Sequence, residues 1–499
     1  MEIKMKKLLA IFAVLAIVFF VVSCGDGEDT QEAVDTGDTS VDTGDTSADT
    51  GDTAADTGDT AADTGDTQAD TGDTAADTGD SQADTGDTDT GDTDTDTGDT
   101  ESANWEAKYK KADEHAKQVS KDVVKANNDL GMKLFSKLAA GEAGKNVMIS
   151  PLSISIAMAM STNGATGENL DEMKEVLGFG NMELPNVNEQ FMHLIASLVA
   201  ADKDLVLSIA NSVWMREDFS LDVKAAFTDV LNEFYDAEIF AEGFTVENIN
   251  AWVSEKTKGK IDEIVKEIGE DVVMYLINAI YFKAAWTTSF NEENTFEGKF
   301  TLSDGTEVTA DFMTFSEAEK SPTFLAYSSD WGDKDGFSMI RIPYGRDVFA
   351  FYGIVPTSNN KSNIDEFIAK MAKNGFDHYF SLLNELDFPL ELPKFKFEYE
   401  KSLVEIFKEF GMKKAFETGG YFHNIADDPH DPFISEIKHK TFIEVNEAGT
   451  EAAAVTSVEY SDNAMPSGFY ANRPFVFVIR DDRSGSILFV GKVENPKAE

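Results

Sequence analysis

Glu447-Ala448-Gly449-Thr450-Glu451-Ala452-Ala453-Ala454-Val455-Thr456 is the stretch on which the reading of this chain turns. A polar run from Ser457 to Gly468 follows, and then Phe469-Tyr470-Ala471-Asn472-Arg473-Pro474-Phe475-Val476-Phe477. Two strand-like segments are thus joined by a loop of about twenty residues, and loops of that length in compact domains are usually functional. Small residues recur at alternate positions: Thr450, Ala452, Ala454 and Thr456. On an extended strand they share one face. A strand with a small inner face fits between two existing strands without overpacking the core below. The same residues also read as an Ala-rich helix end followed by a flexible loop.

The flanks of this stretch set the fold class. Downstream, Phe475–Ile479 and Ile487–Val493 read as a buried hairpin around the polar turn Asp481–Gly485. Upstream, Val206–Trp214 and Val272–Tyr281 are apolar, β-branched runs of strand type. Helices are predicted over Lys121–Leu138, Ser150–Met160 (with Pro151 in the first turn, where no N–H is missed), Asp222–Ala237 and Val246–Lys256. Helices dominate early and strands late. The fold expected is α+β, with helices around a large mixed or antiparallel sheet. Hydrophobic periodicity begins near Lys108, and one folded domain is expected over 105–499.

The N-terminal part is different. Lys4, Lys6 and Lys7 precede an apolar run from Leu8 to Val22, which reads as an export signal over 1–23 and is too short for a confident spanning helix. It ends Val21-Val22-Ser23-Cys24, similar to a bacterial lipobox, in which Cys24 would be lipidated and become the first mature residue. An ordinary signal peptide holding a Cys is the alternative. Each buried CH₂ of an acyl anchor contributes roughly 0.8 kcal/mol. Gly25, rather than Asp, follows the Cys, which favours the outer membrane or cell surface. Residues 24–104 are expected to be a disordered linker. Asp-Thr-Gly-Asp-Thr recurs every seven residues from Asp35 to Asp84, with Ser81 replacing Thr once, and no Lys or Arg occurs from 26 to 101. No repeat position is reliably apolar, which excludes a coiled coil. High like charge with low hydrophobicity cannot offset the ordering entropy. Asp-Thr-Gly is also the aspartic-protease triplet, but here it occurs in a polar tract rather than between apolar strands.

Composition excludes several functions. A net charge of −50 excludes a non-specific nucleic-acid binder. One cysteine excludes a disulfide scaffold and a Cys-based zinc site. There is no His-Glu-x-x-His, no Gly-x-Ser-x-Gly elbow and no P-loop, and Gly178-Phe179-Gly180 lacks the third Gly of a dinucleotide fingerprint. No enzyme activity, cofactor or metal is expected.

The chain resembles the serpin family from about residue 120 to 496. The resemblance rests on Asn472-Arg473-Pro474-Phe475, Gly449-Thr450-Glu451-Ala452-Ala453-Ala454, Ser150-Pro151-Leu152-Ser153, Asn278-Ala279-Ile280-Tyr281-Phe282-Lys283 with Trp286, Gly259-Lys260-Ile261 and Gly491-Lys492-Val493. It implies a serpin fold with an exposed reactive-centre loop. It also implies suicide inhibition of serine, or alternatively cysteine, endopeptidases, with the cleaved loop inserting into the central sheet. A non-inhibitory serpin-fold binding or adhesion module is the alternative.

The resemblance assigns Glu447, Gly449, Thr450, Glu451, Ala452, Ala453 and Ala454 to the hinge. No bulky, Pro or charged residue stands on the inward face of that hinge, which favours an active inhibitor. Ser150, Ser153, Asn278 and His439 carry over as shutter positions, Trp286 as a breach residue, and Lys394 with Glu447 as an exposed ion pair at the loop entry. His439 is read as a buried hydrogen-bonding group rather than a catalytic one. Counting seventeen residues from Glu447 puts the scissile bond at Asn463–Ala464, and Tyr460, Asp462 and Met465 are alternative reactive centres. No Lys or Arg lies between Gly449 and Phe469, so chymotrypsin-like, elastase-like or Asn-selective proteases are expected rather than trypsin-like ones. The helical region Pro185–Asp204 lacks a basic stripe, so no heparin binding is expected. The protein is expected to be a monomer.

Overall fold

The computed structural model describes residues 15–24 and 97–498, apart from 221, 317–323, 328–335, 357–363, 385–388, 420, 427–431 and 451–467. Three sheets and a set of helices build the body. In the largest sheet two long strands act as rails, Val272–Ala285 and Pro432–Asn446. Leu205–Met215 lies outside the first rail and Phe395–Ser402 outside the second, each antiparallel to it. Glu238–Phe240 adds a short parallel edge to Leu205–Met215.

The rails do not pair with one another. A strand's width separates them, and two segments fill it, each antiparallel to both rails. Gly449–Thr450 pairs with Val445 and Asn446 on one side and with Ala284 and Ala285 on the other. Leu15–Cys24 fills most of the remainder, pairing with Pro432–Phe442 and with Val272–Tyr281. Both rails therefore run in the same direction. The apolar run read as a leader is seated here as a central strand. Its β-branched and aromatic composition is of the kind enriched in strands.

The second sheet orders Leu383–Asn384, Phe324–Tyr327, Phe337–Tyr344, Phe349–Pro356, Phe475–Asp481, Ile487–Val493 and Val147–Ile149. The predicted hairpin is at its heart, and both of its strands are buried almost throughout. A third sheet joins Phe469–Tyr470, Leu390–Pro393, Glu307–Met313 and Phe296–Thr301. The stretch after the loop thus enters the third sheet first and then crosses into the second.

Among the helices, α1 (Thr97–Gln118) precedes the predicted ones. Next come α2 (Lys121–Gly141), α3 (Pro151–Thr162), α4 (Gly167–Val176) and α5 (Leu184–Val199). Every residue of α3 is buried, as expected of a helix apolar or small all round. Its N-cap is Ser150, whose Oγ accepts from the Ser153 N–H, and Pro151 occupies the first turn. The expected helix over 222–237 is shorter, Ala225–Tyr235, because Val223 forms a lone bridge to Ala426 and Asp236 turns left-handed. The helix Val246–Lys256 has the bounds predicted.

Gly131 marks where α2 crosses α3. A Cβ there would lie 2.4 Å from Pro151 Cγ and 2.5 Å from its Cβ, and a proline ring cannot swing aside. Ala is the better helix former by about 1 kcal/mol, but overpacking costs about 1–3 kcal/mol. Gly131→Ala is therefore expected to lower the urea midpoint followed by circular dichroism. An unchanged or raised midpoint would contradict the close crossing.

Candidate functional site

The slot between the rails is the candidate site, and polar groups line its floor and its mouth. On the floor, His439 of one rail and Asn278 of the other stand opposite the same position, Val18, of the intervening strand. His439 Nε2 accepts the Ser150 N–H at 3.1 Å. Ser153 Oγ donates to Asn278 Oδ1 at 2.5 Å, and Asn278 Nδ2 donates to Asn211 Oδ1 at 2.7 Å. Asn211 Nδ2 passes on to the Tyr235 carbonyl at 2.6 Å. Ser150, Ser153, Asn211, Asn278 and His439 are all buried. The N-terminus of α3 is thereby bonded to both rails, and the rail Val272–Ala285 is bonded onward to the strand beside it. Buried polar networks of this kind fix one arrangement, because each group left unpaired costs about 1–3 kcal/mol.

At the mouth, Trp286 follows directly on its rail. Its indole N–H donates to the Asn446 carbonyl at 2.9 Å, and its backbone N–H donates to Ala448 at 3.1 Å. The indole stacks on Tyr344 with centroids 4.5 Å apart and planes at 9°. The Tyr344 hydroxyl meets Thr450 Oγ1 at 2.6 Å, both groups fully buried. Burial pushes the Tyr344 phenol far above its ordinary range, so it remains a neutral hydrogen-bonding group.

Lys394 Nζ lies 3.0 Å from Glu447 Oε2, which brings together the pair expected at the loop entry. The expectation of an exposed pair is corrected: Glu447 is only 4% exposed. Its other oxygen accepts from Thr295 Oγ1 at 2.7 Å, and its carbonyl accepts the Phe290 N–H at 2.9 Å. A pair buried on the carboxylate side holds its geometry more firmly than a surface pair, which is worth about 0–1 kcal/mol.

Of the residues singled out in the sequence, Ser150, Ser153, Asn278, His439, Trp286, Lys394, Glu447, Gly449 and Thr450 lie together along the slot. Sequence reasoning missed Asn211, Thr295 and Tyr344, which sit in runs that read as ordinary strand or loop. Glu451, Ala452, Ala453 and Ala454 lie outside the described residues, as do Tyr460, Asp462, Asn463, Ala464 and Met465. The backbone of Cys24 closes the strand in the slot, opposite Pro432. Among the described residues no group of three or more His, Cys, Asp or Glu side chains is placed to hold a metal ion.

The arrangement has a clear mechanical meaning. Two aligned rails accept an antiparallel strand, and Gly449–Thr450 already occupies the first two positions at the mouth.

Comparison with known proteins agrees with this geometry. The family model for serpins (serine protease inhibitors) matches residues 125–496. Serpin-Z10 of Arabidopsis thaliana is 32% identical over 394 residues, covering 75% of this chain and 98% of that protein. Iripin-2 of Ixodes ricinus is 32% identical over 394 residues, covering 77% and 94%. Among solved structures, the thermophilic serpin tengpin in its native state superposes with a TM-score of 0.65 at 30% identity, covering 76% of this chain and 95% of that one. Thyroxine-binding globulin in complex with thyroxine superposes with a TM-score of 0.65 at 25% identity, covering 75% and 99%.

Gly449 gives a test of the mouth. Its φ is +151°, and an added Cβ would sit 2.1 Å from the Ala284 carbonyl oxygen, a backbone atom. Gly449→Ala is expected to push the hinge out of the slot. Amide exchange at 449–450 should then rise by about tenfold or more, the effect of roughly 1.4 kcal/mol of local stability. Unchanged exchange would show that these residues are not held between the rails.

Proposed function

The chain belongs to the serpin family, whose members are generally protease inhibitors rather than enzymes, and we propose that it is a single-use inhibitor of serine endopeptidases, with cysteine endopeptidases as the alternative target class. The observation that carries this reading is the slot. Its rails take an antiparallel strand on both sides, and the loop hinge already enters it.

In this reading the protease nucleophile attacks the loop at Asn463–Ala464, or at a neighbouring bond if Tyr460, Asp462 or Met465 is the reactive centre. An acyl-enzyme forms. The freed loop then continues from Thr450 between the rails. The small residues Ala452, Ala454 and Thr456 make room on the inward face, and each new ladder hydrogen bond nets roughly 0.5–1.5 kcal/mol. The attached protease is dragged along and its oxyanion hole is distorted, so deacylation stalls. The loop offers no Lys or Arg, which supports chymotrypsin-like, elastase-like or Asn-selective targets.

The N-terminus fits the same scheme. Cleavage before Cys24 would remove the leader 1–23, and with it all but the last residue of the strand now in the slot. Lipidation of Cys24 would then hold the domain to the outer membrane or cell surface, guarding the cell envelope. On this reading the precursor cannot insert its loop and the processed chain can.

The test is incubation of two forms, the full precursor and the chain beginning at residue 24, with chymotrypsin-like, elastase-like, trypsin-like and Asn-selective proteases. The processed form is expected to give a denaturant-resistant band of summed mass with at least one non-trypsin-like protease. The precursor is expected to be cleaved without complex. Sequencing the released C-terminal peptide identifies the bond. Cleavage of the processed chain with no complex for any protease would overturn the inhibitor reading in favour of a non-inhibitory binding module.

A further inference from the structure

Helix α1 lies before the span shared with the family, which begins at residue 125. It is nevertheless tied to the body through a designed set of contacts. Ala112 and Ala116 are buried, and Tyr109 and Asp113 lie on the same stripe at helical spacing. The Tyr109 hydroxyl accepts the Lys203 N–H at 3.0 Å, and the Arg346 guanidinium lies 4.5 Å from the Tyr109 ring.

Asp113 Oδ1 is held by two arginines, Arg346 Nη2 at 2.9 Å and Arg483 Nη1 at 3.0 Å. Arg483 comes from the turn of the buried hairpin and also bonds Asp481 and the Ser197 carbonyl. Arg346 comes from the turn that follows Tyr344. Its backbone N–H donates to Asp202 Oδ2 at 2.6 Å, and the neighbouring Gly345 N–H donates to Ala285 at the end of a rail at 3.0 Å. Two residues before Arg346 is Tyr344, the partner of Thr450 in the hinge. A continuous path of bonded groups thus runs from α1 to the mouth of the slot.

The last turn of α1 carries the second fastening. His115 Nδ1 and His193 Nδ1 of α5 are 2.9 Å apart. That contact needs a proton on one nitrogen and a lone pair on the other. With both rings protonated, two N–H groups would point at each other across the same distance. The charged neighbours are Lys111 and Glu114 on α1 and, on α5, Glu189, whose Oε1 is 4.0 Å from His193 Nε2. Glu114 favours charge on His115 and Glu189 lies beside His193, but the Nδ1–Nδ1 contact itself has room for one proton.

We infer that α1 is an acid-released clamp, fastened by the His115–His193 pair and by Asp113 between Arg346 and Arg483, whose docking braces the Tyr344–Thr450 contact at the loop hinge. The electrostatics agree. Partial burial, then the charges of His193 and Lys111, hold the His115 imidazole below its ordinary value of 6.5. A depressed histidine binds fewer protons docked than free, so docking is at full strength above 6.5 and weakens as pH falls below it. Burial pushes the Asp113 carboxyl up, but the two arginines outweigh it and hold it below its usual range, so it stays charged while His115 titrates.

Hydrogen exchange of the full chain at pH 7.5 and 5.0, corrected for intrinsic rates, tests this without any protease, so its result stands apart from whether the chain traps one. In the wild type, protection over 105–118 is expected to fall several-fold at pH 5.0, with protection over Asn446–Thr450 falling alongside. His115→Gln is expected to remove the pH dependence. Asp113→Ala is expected to release both segments at both pH values. The hairpin strands Phe475–Asp481 and Ile487–Val493 serve as the control for an intact fold, and His115→Phe replaces any glutamine variant that fails it. A pH-independent α1 in the wild type, an unaltered pH dependence without His115, or a hinge that stays protected when α1 is released would each overturn the clamp.

Discussion

The rest of the structure depends on a gap one strand wide between two strands that run the same way. Parallel rails cannot be closed by a tight turn, and a sheet left open there would expose two rows of unpaired backbone groups. The gap is therefore filled, held, or closed by direct parallel pairing of the rails, and the surrounding features bear on which. Leu15–Cys24 fills most of it, and Gly449–Thr450 fills the mouth. The polar set Ser150–His439 and Ser153–Asn278–Asn211 ties both rails to α3. Trp286, Tyr344 and Thr450 seal the mouth.

On the proposed inhibitor reading the slot exchanges its occupant, which makes the folded state a question of kinetics as well as stability. Each occupant offers much the same backbone bonds, so the outcome depends on which segment arrives and what must be broken first. The buried shutter groups and the hinge contacts are such barriers: they stabilise the present arrangement without being specific to the strand between the rails. Control of those contacts is therefore control of timing, and α1 reaches one of them through Arg346.

Much of this was legible in the sequence. The β-branched run of Val272–Tyr281 announced a rail, whereas the alternation of small residues from Thr450 onward runs outside the described residues. Ser150-Pro151 announced the cap of α3 through ordinary helix chemistry. What stayed hidden had physical reasons. Tyr344 reads as a core aromatic, because a hydroxyl's partner more than a hundred residues away leaves no local mark. Glu447 reads as exposed because nothing local shows that Thr295 and Lys394 enclose it. A short apolar run such as Leu15–Cys24 fits a leader and a buried strand equally well, since periodicity does not separate them. Helix α1 begins in the last acidic repeat, where composition argues for no structure, and it is held by charge and by a histidine pair rather than by a broad apolar face.

The central claim is that the slot accepts the loop. The most direct measurement is the thermal midpoint of the processed chain before and after a single cleavage within 451–467. Insertion adds a full antiparallel ladder on both sides, at roughly 0.5–1.5 kcal/mol for each hydrogen bond, so the cleaved protein is predicted to melt tens of degrees higher than the intact one (a ΔΔG of 1 kcal/mol shifts a large domain by about 2–4 °C). A cleaved chain that melts at or below the intact midpoint would contradict the account.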